Sequence, residues 1–124
     1  MRAALATILV LAAGAQAEAQ SLTASPGQTI TIRTHGQWRS NCDPNGVPVL
    51  ASSNANGGTV ATRQAPHRIE RAGTGTLAGC QGKSVPGIAV TYTPRAGFTG
   101  TDTVSYTLQF TGGPRQFSHT ITVR

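Results

Sequence analysis

Histidine, cysteine and arginine carry most of the reactive or ion-pairing chemistry in this 124-residue chain. Imidazole nitrogens bind copper or zinc when several converge. Here His35, His67 and His119 are far apart in sequence, and the one methionine is Met1. His119 falls on the apolar side of an alternating run, with Phe117, Ile121 and Val123. His35 falls on the polar side of another, with Thr31 and Arg33. Strict alternation therefore turns the two histidines away from each other, and His119 reads as a sheet-edge histidine with a hydrogen-bonded ring. No metal and no cofactor is expected. A calcium site of six or more oxygens is not expected either, because the whole chain holds four acidic residues.

The basic residues gather most densely at Arg63, His67, Arg68 and Arg71. Guanidinium forks match phosphate, sulfate and carboxylate, which makes these four the candidate anion-binding site. If residues 67–71 are extended, His67 and Arg71 share a side with Ile69, while Arg68 faces the side of Glu70. A solvated strand edge, charged to block stray pairing, is the competing reading. The formal net charge is +6, which draws a protein toward anionic surfaces and also keeps a small domain soluble.

Catalytic patterns are missing. There is no Gly-x-Ser-x-Gly elbow. Gly82-Lys83-Ser84 resembles the end of a phosphate loop, but Leu77 stands where that loop needs its first glycine. The acids form no close pair for glycoside hydrolysis. A non-catalytic protein is expected.

Export supplies the context for the cysteines. Met1 and Arg2 begin a short apolar run, and Ala15-Gln16-Ala17 or Ala17-Glu18-Ala19 offers a small-x-small cleavage site. Residues 1–19 read as a signal peptide cleaved after Ala17 or Ala19, too short to span a bilayer. Residues 20–124 are then one domain, periplasmic or secreted. Two cysteines in an exported domain, Cys42 and Cys80, read as a disulfide. Neither has a Cys or His at metal-ligand spacing.

The elements that must position these groups are strands. Ile88, Val90 and Tyr92 alternate with Ala89, Thr91 and Thr93, and Val104, Tyr106, Leu108 and Phe110 with Thr103, Ser105, Thr107 and Gln109. Thr29–Thr34, Val47–Ala51, Thr59–Thr62, an edge strand within Ala65–Arg71, and Gln116–Val123 follow the same reading. Val47–Ala51 and Thr59–Thr62 look like a hairpin around the turn-rich Ser52–Gly58, with Asn54, Asn56, Gly57 and Gly58. Only a short strand around Leu77 is expected in Gly73–Gly87. Trp38 reads as an aromatic packed in the core or on the disulfide, with sugar stacking as the alternative. About seven short strands with turns between them make an all-β antiparallel sandwich.

The run from Tyr92-Thr93-Pro94 through Gly97-Phe98 and Gly100-Thr101-Asp102 to Tyr106-Thr107-Leu108 resembles the signature of bacterial Ig-like or cadherin-like domains. Asn56-Gly57-Gly58-Thr59-Val60 and Thr120-Ile121-Thr122-Val123 are similar to further pieces of it. The resemblance implies an Ig-like sandwich and assigns Tyr92, Pro94, Gly97, Phe98, Gly100, Asp102 and Tyr106 to the scaffold. Phe98 would plug one end, Asp102 would accept backbone N–H bonds, and Tyr106 would make a tyrosine corner. The acids that often serve calcium in such domains do not follow Leu108 here. The expected role is a binding or structural module at the cell envelope. Alternatives are a binder or inhibitor of an anionic envelope polymer or enzyme through the basic edge, and a periplasmic metal carrier. The partner is an anionic envelope component or another envelope protein; nucleic acid is not expected.

Overall fold

The computed structural model describes residues 20–70 and 79–124. The expected leader, Arg71 and the short strand around Leu77 lie outside the described residues. Among the described residues there are seven strands: β1 Gln20–Ala24, β2 Ile30–Gly36, β3 Val49–Asn54, β4 Gly58–Arg68, β5 Ser84–Pro94, β6 Gly100–Phe110 and β7 Gly113–Val123. They form two sheets in the orders β1-β7-β6-β3 and β2-β5-β4. The apolar sides of both layers face inward, giving an all-β sandwich. Among the described residues, no helix is long and apolar enough to cross a membrane.

One core fills the space between the layers. Ile88, Val90 and Tyr92 from β5 meet Val104, Tyr106 and Leu108 from β6 and Ile121 and Val123 from β7. A smaller cluster of Ile69, Cys80 and Val85, with Trp38 and Cys42 packed against it, lies apart from this core. Val85 has the same strand parity as Ala89 and Thr91, so this second cluster covers the outer side of the β2-β5-β4 sheet. The Cys42–Cys80 disulfide forms there, with a sequence separation of 38.

Three details depart from simple alternation. First, β1 pairs with β7 in parallel, Gln20 beside His119 and Ala24 beside Val123, so the sandwich is not wholly antiparallel. Second, β3 pairs with β6 and β4 with β5. The Asn54–Gly58 connection is therefore a crossing between sheets, not a hairpin turn. Asp102 holds that crossing, taking hydrogen bonds from the backbone N–H groups of Asn56 (3.1 Å) and Gly57 (2.8 Å). Third, the β2–β5 register slips between Thr31 and Arg33. This β-bulge adds one residue at Ile32 and reverses the facing of everything after it.

Candidate functional site

The bulge changes the histidines. With the reversed parity, His35 lies opposite Ile88 and is 4% exposed, facing the interior. The expectation that His35 and His119 face apart is overturned, since strict alternation fails at an extra residue. The Nε2 of His35 is 2.7 Å from the Tyr106 hydroxyl, and the same hydroxyl is 3.3 Å from Nε2 of His119. His119 is buried within the sheet rather than lying on an exposed edge. Tyr106 therefore joins a His35–Tyr106–His119 chain and makes no tyrosine corner.

A single hydroxyl proton can serve one histidine only. The other histidine must then donate from its own Nε2 to the hydroxyl oxygen. The buried Nδ1 of His119 has no partner. Burial, with Arg33, His67, His119 and Arg115 nearby, lowers the His35 pKa to about 3. Burial and Arg33 also lower that of His119. Burial raises that of Tyr106, with a smaller opposing pull from Arg33. The three groups are thus neutral partners in a packed interior. Phe117 tilts against His35 at 4.5 Å, and Tyr106 stacks on His119 at 5.6 Å.

The carboxylate of the signature has another tyrosine as partner. Tyr92 donates to Asp102 at 2.6 Å, beside the Asn56 and Gly57 N–H groups. Burial alone would raise the Asp102 pKa. Bonds from Tyr92, Gly57, Asn56 and Thr103 outweigh it and hold the carboxyl below its usual value. Gly97 and Gly100 lie at φ 84° and 122°, where a side chain is disfavoured. Pro94 is buried, and Phe98 is half-buried against the main core. Tyr92, Asp102 and the loop between them therefore brace the crossing.

The basic edge does not converge. Arg63 and Arg68 are both exposed on β4, and their odd and even positions point them to opposite sides of the sheet. Arg63 reaches Thr31 Oγ1 at 3.3 Å, and Arg68 pairs with Glu70 at 3.6 Å. His67 is half-buried. Its Nδ1 is 2.9 Å from Thr34 Oγ1, and its ring stacks on Trp38 at 5.8 Å. Gly36 and Gly87 lie against His67, and a Cβ at either would crowd its Cβ at 3.0 Å. Burial, reinforced by Arg33 and partly offset by Glu70, lowers the His67 pKa.

A site that sequence reasoning missed opens at one end of the sandwich. A cleft of about 590 Å³ lies between the Gly36–Asn45 segment and the β6–β7 turn, lined by Gln37, Trp38, Asn45, Phe110 and Arg115 among others. Its walls are tied together. Gln37 Oε1 accepts the Thr111 N–H at 2.7 Å, and the Asn45 N–H donates to the Gln37 carbonyl at 3.1 Å. Arg115 lies over the Phe110 ring at 5.8 Å, and Arg33 over Phe117 at 5.4 Å. Among the described residues, Arg68–Glu70 is the single ion pair, so Arg115 keeps its charge unmatched. Phe110 and Arg115 are in phase with the inward positions of β6 and β7. That shared phase was the available sequence signal.

Among the described residues, no three His, Cys, Asp or Glu side chains converge on a common point. No protein-family model, curated protein or solved structure matches this chain.

Proposed function

We propose that this chain is an exported, non-catalytic module of the bacterial Ig-like or cadherin-like type that binds an anionic partner at the cell envelope. The reading rests on how the charges are used. Asp102 is consumed inside the scaffold by hydrogen bonds that include those from Asn56, Gly57 and Tyr92, and Glu70 is paired with Arg68. Arg33, Arg39, Arg63, Arg95, Arg115 and Arg124 remain on the surface. A surface with cations and almost no free carboxylates attracts polyanions. The Tyr92–Tyr106 motif and the two-sheet strand order support the Ig-like reading. The metal-carrier alternative gains no support, because His35 and His119 are both engaged by the Tyr106 hydroxyl and His67 bonds Thr34 on the other side of the sheet.

The test is retention on immobilised polygalacturonate at physiological ionic strength, with reducing ends monitored. Retention that falls steeply with added salt, without release of new reducing ends, is expected. Elution in the void volume, or release of new ends, overturns the reading.

A further inference from the structure

We infer that the end cleft is a saccharide subsite, and that the sugar it takes carries a carboxylate, as a uronic acid does. This deepens the anion-binding reading and rests on it. Trp38 and Phe110 both line the one cleft, and sugar rings present C–H faces that pack on aromatic side chains while their hydroxyls stay wet. The half-exposed amides of Gln37 and Asn45 line the same walls, offering donors and acceptors of the kind hydroxyls need. Arg115 brings a guanidinium to the rim with no carboxylate partner among the described residues, and its fork matches a carboxylate in two parallel bonds.

The volume falls within the roughly 300–1,000 Å³ range of small-ligand sites. The walls are also prearranged. The Thr111–Gln37 bond fixes the turn against the facing segment. Trp38 stacks on the His67 ring and packs against the disulfide cluster. Binding therefore costs little ordering of the site. The basic edge has no comparable combination, since its cations diverge and the aromatic ring nearest to it, Trp38, belongs to the cleft.

Trp38 is the one tryptophan in the chain, so tryptophan emission reports on this wall of the cleft and on the disulfide cluster it packs against. The test titrates the protein with a galacturonate tetrasaccharide, its fully methyl-esterified form and inorganic sulfate, following fluorescence and, in parallel, calorimetry. The acid form is expected to shift the Trp38 emission, and the ester to bind about tenfold more weakly. Arg115→Gln, at an exposed position, should bring the acid down to the level of the ester without a change in melting temperature. Equal binding of acid and ester overturns the carboxylate requirement. Sulfate competing as well as the tetrasaccharide shows a bare anion site and overturns the sugar. Unchanged emission overturns the cleft; if retention on polygalacturonate persists, anion binding stands and resides elsewhere on the surface.

Discussion

The hydroxyl of Tyr106 lies 2.7 Å from Nε2 of His35, bridging the two layers of the sandwich. The contact keeps a titratable ring in a place where its charged form is poorly solvated. Its folded-state pKa is about 3, against roughly 6.5 in an unfolded chain. Below pH 6.5 the unfolded state binds the proton that the folded state refuses, so stability is lost as pH falls from 6.5 toward 3. His119 adds to the same loss, its pKa being lowered as well. Thermal melts between pH 7.5 and 4 should show a steady fall in Tm. His35→Gln keeps a partner for the hydroxyl but does not titrate, and its melting curve should depend on pH less steeply. An equal slope in both proteins would show that His35 is not the titrating group.

Asp102 is the carboxylate whose loss should be most damaging. Asp102→Ala leaves two backbone N–H groups and the Tyr92 hydroxyl without their acceptor, at about 1–3 kcal/mol for each buried group. Asp102→Asn retains one acceptor oxygen and should cost distinctly less. Urea unfolding of the two variants measures the difference, and equal midpoints would contradict the role given to the backbone bonds.

Cys42 and Cys80 clamp the outer cluster, not the space between the sheets. Replacing both with serine should destabilise by about 4 kcal/mol on the chain-entropy estimate for a loop of this length. Because Trp38 packs on this cluster, its emission should shift toward that of exposed indole before far-ultraviolet ellipticity is lost. Simultaneous transitions would show that the clamp belongs to the main core.

Gly87 is predicted to be intolerant of a side chain for a reason of space. A Cβ there would collide with the His35 carbonyl oxygen and crowd His67, and a carbonyl within the β2–β5 ladder cannot swing away. Gly87→Ala should cost about 1–3 kcal/mol. Ala substituted at Gly79, where nothing lies within 4 Å, serves as the control, and comparable stability of the two variants would refute the packing argument.

Much of the architecture was legible because Ile88–Thr93, Thr103–Phe110 and Gln116–Val123 alternate without interruption, whereas Ser84–Gly87, with Pro86 and Gly87, hid the start of β5. The cysteine pair followed from their number and the expected export. His35 was misread because Thr29–His35 alternates smoothly on paper, with no Gly or Pro to mark the bulge at Ile32. Tyr106 was misassigned for the same reason, since its partner arrives from a strand whose facing had been reversed. Val47–Ala51 and Thr59–Thr62 looked like hairpin neighbours because a turn-rich connector between sheets has the same composition as a hairpin loop. The cleft was hidden because Trp38, Phe110 and Arg115 meet only when the Gly36–Asn45 segment folds back over the end of the sandwich.

The parallel docking of β1 on β7 settles how the polypeptide passes through the molecule. It arrives and departs travelling the same way, with Arg124 hydrogen-bonded beside Ala24 at the exit. A polypeptide joined ahead of Gln20 and another joined after Arg124 would extend toward opposite poles. Copies could therefore be threaded in file without folding back on one another.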